Sequence, residues 1–442
     1  MTNSRAAAIE VLLAWERSQD SLDQVLEGVC SKAFAEPRDR QFVMALVYGV
    51  FRWRGYLDGI IAGFSAHPIT KMKPLTLAAL RIGLFQLLFM DRVPEAAAIN
   101  ETVKALVQAR QPKWLTGFVN GLLRNAVRRK AALPPADAAA AVMSHPDWLV
   151  SRWQRLYGRT RTEKICAANN RVPQLALRVN TARISVARYL ELLGSRDLAA
   201  VCGSYGLEAV LLSDYHGGVA ELPGYGDGFF QVQDEAAQLV CLLLAPFEAG
   251  AYLDACAGLG GKTLHLAQLL PEGSRLVAIE PSAKRIALLK ENLQRFARQE
   301  VAIHQGTLED YAEKHEGRFK GVLVDAPCSG LGVVGRQPDI RWQRSYDVLK
   351  RNQAKQQALL SLAAGQVAEG GVLVYATCSI DPIENDEVID RFLQDHSDFS
   401  LTSAREHLPP AAHCLVDGKG FFRTTPEQGL DGFFAARMKR KE

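Results

Sequence analysis

The sequence predicts three unlike domains in series: an all-α bundle, a small α+β module, and an α/β domain on a doubly wound parallel sheet. Three observations carry this. Helical periodicity runs unbroken over residues 4–130, a proline pair and an alanine run interrupt it at 131–141, and from residue 251 short apolar runs alternate with amphipathic stretches. At 442 residues the chain also exceeds the size at which a single core keeps growing.

The first zone reads as helices throughout. AAAIEVLLAWER, DRQFVMALVYGVFRWRGYLDGII, LTLAALRIGLFQLLFM, EAAAINETVKALV and GFVNGLLRNAVRR each repeat apolar residues at three- and four-residue intervals. Residues 51–130 hold 13 Lys and Arg against 4 Asp and Glu, so this stretch is net +9 in a chain that is net +4 overall. Such an excess suits a polyanionic partner, with a solvated helical face as the plainer alternative. AALPPADAAAA marks a linker. The second zone opens on an amphipathic HPDWLVSRWQRLYG. It continues with the alternating runs LALRVNTA (175–182) and GLEAVLLS (206–213), and FFQVQDEAAQLVCLLL (229–244) leads into the third zone. The boundaries read as 1–132, 145–235 and 236–442.

With 48% hydrophobic and 23% charged residues and a mean hydropathy of −0.04, neither a disordered nor a membrane class fits. The apolar run Ile82–Met90 lies between Arg81 and Asp91, far short of the roughly 20 residues that cross a bilayer, and Glu10 interrupts any signal-like N-terminal core. A cytoplasmic protein with no membrane partner is expected. The eight cysteines are scattered, with no C-x-x-C pair and no zinc spacing, so neither a disulfide scaffold nor a metal is expected.

In the third zone AYLDAC, RLVAIE, VAIHQ, GVLVDA and GVLVYAT alternate with helical stretches such as SAKRIALLKENLQRFA. Ligands of such sheets bind at the carboxyl ends of strands. One strand ends in DACAGLGGKT, where Gly258, Gly260 and Gly261 let backbone approach a ligand at a helix start. A phosphate-binding P-loop needs glycine where Cys256 stands, and the dinucleotide fingerprint needs glycine where Thr263 stands. The loop instead resembles the S-adenosylmethionine loop of Rossmann-like methyltransferases. Glu280 follows it by about twenty residues at the end of the next strand, where a carboxylate can accept from ribose hydroxyls. An ATPase stays open, because VLVDA is superficially like the acidic strand of P-loop enzymes.

Two further strands end in the same dipeptide, VLVDAPCSG and VLVYATCSI. A methyl donor beside a thiol suggests methylation of cytosine C5. A thiolate added at C6 makes C5 nucleophilic, and Cys suits this better than Ser because it ionises more readily. Asp325, three residues before Cys328, is placed to hydrogen-bond the N3/N4 edge of the base. Chemistry alone leaves open which sulfur attacks.

DACAGLGGKT, VLVDAPCSGLGVVGRQPDIRW and VLVYATCSIDPIEN closely resemble the RNA 5-methylcytosine methyltransferases of the NOL1/NOP2/Sun group. ALVYGVFRW, INETVKAL and GFVNGLLRN resemble the NusB-like helical domain of its bacterial members, as HPDWLVSRW, LRVNT and DGFFAARMKR resemble their later segments. The resemblance implies a NusB-like RNA-binding bundle, a Rossmann-like catalytic domain and S-adenosylmethionine as cofactor. Its implied substrate is 16S rRNA, free or in a partly assembled small subunit, methylated at cytosine 967 by a monomer. It implies Cys378 as nucleophile, Cys328 as the residue assisting product release, and Asp325 near cofactor and base. It further implies that Cys256, Ala257, Gly258, Leu259, Gly260, Gly261 and Lys262 surround the cofactor, with Glu280 on the ribose.

Three departures stand against the family pattern. Gly258-Leu259 replaces Ala-Pro, Glu280 replaces Asp, and Thr307 replaces the Asp near the adenine. Weaker cofactor binding is their expected effect, and an RNA-binding assembly factor with a vestigial site is the alternative function. RNA contacts are expected from the basic bundle or from Arg336, Arg341 and Arg344.

Overall fold

The computed structural model describes residues 3–18, 20–34, 36–296, 300–315 and 318–442. The described chain forms two compact units: Met1–Val172 with Val334–Gln343, and Pro173–Val333 with Arg344–Glu442.

In the first unit the helical periodicities become Ser4–Trp15, Leu22–Ala33, Pro37–Phe64, Pro74–Phe89, Glu95–Gln108 and Lys113–Arg128. Local chemistry sets their starts. The Asn3 side chain accepts from the amides of Arg5 and Ala6, Ser21 and Gln24 form a capping box, and Pro37 and Pro74 occupy first-turn positions. Pro74–Phe89 is apolar on all sides because Leu80, Ile82, Gly83, Leu84 and Leu87 are all buried, so the apolar run noted in the sequence is the centre of a bundle. The stretch read as a linker is partly helix. Asp137 caps Ala138–Met143 by accepting from Ala139 N and Ala140 N, and alanine's high helix propensity does the rest. Helices Asp147–Tyr157 and Arg159–Asn169 complete this part.

Residues 334–343, which follow the Cys328 motif in sequence, are built into this first unit. Arg341 is fully buried and donates to Asn170 Oδ1 at 2.7 Å, Ser144 O at 3.0 Å and Asn169 O at 3.2 Å. These acceptors lie at helix ends, where carbonyls lack intrahelical partners and favour a cation. Trp342 Nε1 donates to Phe51 O at 2.9 Å, and Trp15 Nε1 to Asp339 Oδ2 at 3.3 Å. Arg341 is therefore not an RNA contact, contrary to the expectation from its charge.

The second unit holds two sheets. Strands β1 (Leu175–Val179), β2 (Ala200–Cys202), β3 (Ala209–Leu212) and β4 (Phe230–Val232) form an antiparallel sheet in the order β2-β3-β1-β4. The larger sheet uses β5 (Ala251–Asp254), β6 (Arg275–Glu280), β7 (Val301–Gln305), β8 (Phe319–Asp325), β9 (Val367–Thr377), β10 (Phe399–Thr402), β11 (Phe422–Arg423) and β12 (Phe434–Arg440). Its order is β10-β12-β9-β8-β5-β6-β7, with β11 added to β12. Strands β5 to β9 pair in parallel, and β12 runs antiparallel between β9 and β10. The central strands are covered on both faces, which is why β8 and β9 read as continuous apolar runs. Strand order reverses between β5 and β8, so the crevice for a ligand opens beyond their carboxyl ends.

Candidate active site

Acids and thiols collect at this sheet edge. Asp254 closes β5, fully buried, and accepts from Thr263 Oγ1 at 2.7 Å and from Cys256 N at 3.3 Å. Burial pushes its carboxyl up to about 6. The loop that follows turns on two left-handed glycines with different reasons. Gly258 (φ +56°) borders open space, whereas a Cβ at Gly260 (φ +91°) would sit 2.4 Å from Leu289 Cδ1. Ala257 N donates to Ile279 O at 2.9 Å, Leu259 is half exposed, and Gly261 starts the helix Gly261–Leu269.

Glu280 ends β6 and is 3% exposed. It accepts from Gly258 N at 3.1 Å and Ser282 N at 2.8 Å, which ties the loop to the neighbouring strand. Lys262 places its ammonium 2.6 Å from Asp325 Oδ2, at the end of β8, and 5.0 Å from the Phe433 ring centroid. Burial opposes its charge, but Asp325 outweighs burial, with Cys241 and Cys378 adding to it, and the ammonium is held above its ordinary value. Burial, aided by Asp254, Asp325 and Glu280, pushes the Cys256 thiol far up, so this sulfur is a protonated loop residue.

Thr307 does not face the site as a free hydroxyl. It caps the helix Leu308–Ala312, accepting from Asp310 N at 3.2 Å while its amide and hydroxyl each donate to Asp310 Oδ2 at 2.8 Å. Asp310 thereby brings a carboxylate to within 3.2 Å of a Cβ built on Gly306, beside the end of β7. The reading of Gln305-Gly306-Thr307 as a lost acid overlooked it, although a Thr followed three residues later by Asp signals a reciprocal cap.

The register Asp325↔Ala376 sets the two Cys-Ser ends side by side, with Cys328 Sγ 3.3 Å from Cys378 Sγ. The backbone braces them. Gly332 N donates to Cys378 O at 2.9 Å and Gly432 N to Gly332 O at 2.8 Å, so close that a Cβ at Gly332 would stand 1.9 Å from Gly432 O. Beneath lie Glu384 and Asn385, both buried. Glu384 accepts from Ser329 N at 2.7 Å, from the Ser329 hydroxyl, from Asn352 at 2.9 Å and from Gln356 at 3.3 Å. Asn385 accepts from Thr377 Oγ1 at 2.6 Å and donates to Ser379 O at 2.8 Å.

The thiols therefore sit on unlike floors. The hydrogen bond with Cys378, then burial, then the charges of Cys378 and Glu384 raise the Cys328 thiol well above its ordinary value. Lys262 is the cation near Cys378. The roles of Glu384, Asn385, Ser329 and Gln356 escaped the sequence reading. The stretch SIDPIENDE is predominantly polar, so it carries no signal that Glu384 and Asn385 are buried. Among the described residues, no group of three or more His, Cys, Asp or Glu could hold a metal. Likewise no described helix is long and apolar enough to cross a membrane.

A parallel sheet with one inserted antiparallel strand, a glycine loop after its central strand and a strand-end acid on the next define a Rossmann-like, S-adenosylmethionine-dependent methyltransferase. The comparisons narrow the class. A family model described as 16S rRNA methyltransferase RsmB/F matches residues 241–439, the NusB family model matches 2–128, and a ferredoxin-like domain of RsmF/B-like methyltransferases matches 145–216. The probable ribosomal RNA small subunit methyltransferase B of Synechocystis sp. is 34% identical, over 100% of both chains. Its Pseudomonas syringae pv. tomato counterpart is 35% identical, over 99% of this chain and 96% of its own. The crystal structure of PH0851 superposes with a TM-score of 0.81 at 24% identity, over 100% of this chain and 99% of the other, which shows a shared fold. The chain belongs to the ribosomal RNA small subunit methyltransferase B family.

Proposed function

We propose that the chain methylates C5 of a cytosine in 16S rRNA, cytosine 967, through a covalent bond from Cys378 to C6. The observation that carries this is a pair of thiols 3.3 Å apart, with a cation near one and a buried carboxylate under the other. Only the thiolate is a competent nucleophile, and at Cys328 the hydrogen bond with Cys378, burial and the charges of Cys378 and Glu384 all oppose it, which leaves Cys378 as the attacking sulfur in this reading.

The residues fit the methyl donor. The open space at Gly258 and the carboxylate of Glu280 would receive a ribose, and the loop Cys256–Lys262, with Asp325 and Asp310 beyond the ends of β8 and β7, would hold the rest of the donor. S-adenosylmethionine supplies an electrophilic methyl group. Cys378 attacks C6, and the displaced π electrons leave C5 nucleophilic, with Asp325 and Lys262 at the base edge where charge develops. After C5 is methylated, loss of H5 to a base re-forms the C5–C6 double bond and expels Cys378 as thiolate. Cys328, protonated and in contact with that sulfur, assists the departure. The substrate is free 16S rRNA or a partly assembled small subunit, gripped in part by the basic residues of 51–130.

The test uses RNA carrying 5-fluorocytosine, whose fluorine cannot leave as H5 does. A covalent adduct is expected with the unaltered chain and with Cys328→Ala, and none with Cys378→Ala; trapping without Cys378 overturns the assignment. The assembly-factor reading, which the basic N-terminal zone and the departures at Gly258-Leu259, Glu280 and Thr307 motivate, instead expects no S-adenosylmethionine binding at millimolar concentration in a calorimeter.

A further inference from the structure

The helix Gly261–Leu269 is gripped on a face that methyl transfer itself does not use. Arg178, in β1, is fully buried. Its guanidinium donates to Gln233 Oε1 and Gln268 Oε1, each at 2.7 Å, reaches Gly261 O at 3.4 Å, and lies 5.0 Å from the Phe296 ring centroid. Glu208, next to β3, accepts from Gln268 Nε2 at 2.7 Å and from Thr181 Oγ1 at 3.0 Å, and stands 3.3 Å from His265 Nε2. Positions 261, 265 and 268 share one helix face. One cation and one carboxylate of the small-sheet region thus hold positions 261, 265 and 268 of the helix that carries Lys262.

This arrangement is costly unless it is used. A buried guanidinium loses its hydration, and burial pushes Arg178 down to about 10, which leaves it charged at neutral pH. Burial first, and then Arg178, push His265 down to about 4, so the imidazole is neutral at neutral pH. A second hold comes from Cys241, whose Sγ reaches Lys262 O at 3.7 Å. An apolar contact could pack the helix as tightly. Hydrogen bonds to Gly261 and Gln268 add direction, and so fix where its first turn points.

We propose that Arg178 is a positioning residue for methyl-donor binding: it orients the first turn of Gly261–Leu269, and with it the loop from Gly258 to Lys262. The inference rests on reading that loop as the methyl-donor site.

Calorimetry of the full chain with S-adenosylmethionine tests it, alongside affinity for a 16S rRNA fragment measured without the methyl donor. Arg178→Met is expected to raise the Kd for S-adenosylmethionine roughly tenfold, as loss of a buried charged hydrogen-bond donor does, with RNA affinity unchanged. Arg178→Lys, which keeps the charge but loses the fork, should recover part of that loss. Equal weakening of both ligands marks a merely structural role and overturns the proposal. So does an unchanged Kd in Arg178→Met when Glu280→Ala weakens binding, a result that leaves the loop reading standing. No weakening in Glu280→Ala overturns the loop reading itself. Should Arg178→Met fail to fold by circular dichroism, Gln268→Leu and Glu208→Gln replace it. Each must then raise the Kd for the methyl donor without altering RNA affinity, or the proposal falls.

Discussion

The ends of β8 and β9 carry the same dipeptide on adjacent strands, yet their surroundings differ in sign. Ser329, after Cys328, rests on the carboxylate of Glu384, whereas Ser379, after Cys378, rests on the neutral amide of Asn385, and the ammonium of Lys262, paired with Asp325, lies near enough to Cys378 to interact with it electrostatically. Consecutive residues of one short segment thus give one sulfur an anionic floor and the other an uncharged one. The shared dipeptide does not tell the two sulfurs apart; the residues packed beneath them do.

The largest break in the comparison is Cys378→Ala, expected to lower turnover by roughly 10⁴-fold or more in a methyl-transfer assay. Cys328→Ala is expected to leave adduct formation intact but to accumulate the covalent RNA complex with ordinary cytosine, visible as a shifted band on a denaturing gel. Lys262→Met removes the cation beside Cys378 and Asp325 and should cost roughly a hundredfold in turnover in the same methyl-transfer assay. Unchanged turnover would mean that Lys262 does not distinguish the thiols.

Glu384→Gln sharpens the comparison more gently. The hydrogen bond with Cys378 and burial come first in raising the Cys328 thiol, so the comparison belongs in a Cys378→Ala background. There, loss of the Glu384 charge should bring the thiol closer to its ordinary value and speed its alkylation by iodoacetamide at neutral pH. The smallest effect concerns Asp254. Its folded value of about 6 exceeds the ordinary 3.8, so the folded state holds the proton more tightly. Its contribution to stability is complete below 3.8 and is lost as pH rises through about 6, at most about 3 kcal/mol. Asp254→Asn should flatten the melting temperature across that window.

The sequence revealed the parts of this site that depend on strand periodicity and glycine placement. The apolar runs of β5, β6, β8 and β9 put Asp254, Glu280, Asp325 and both thiols at one edge, because parallel strands share a direction. Partners distant in sequence were not legible. The antiparallel β12 lies beside β9 only through long-range pairing, and β2 and β4, of three residues each, are too short to show a period. Glu384 and Asn385 looked like ordinary polar residues before a helix, since only burial reveals their use. Arg341 looked like a surface cation, since charge alone does not show that helix ends enclose it.

The inclusion of Val334–Gln343 in the first compact unit has a consequence for the order of synthesis. A ribosome delivers residues 1–172 long before residue 341, and until then Ser144 O, Asn169 O and Asn170 Oδ1 await the guanidinium that they surround, while Trp15 awaits Asp339. The first unit to emerge is completed only when most of the chain has been translated. A fragment ending at residue 172 should therefore melt earlier than the same unit in the whole protein, and a peptide of residues 334–343 supplied in trans should restore part of the difference.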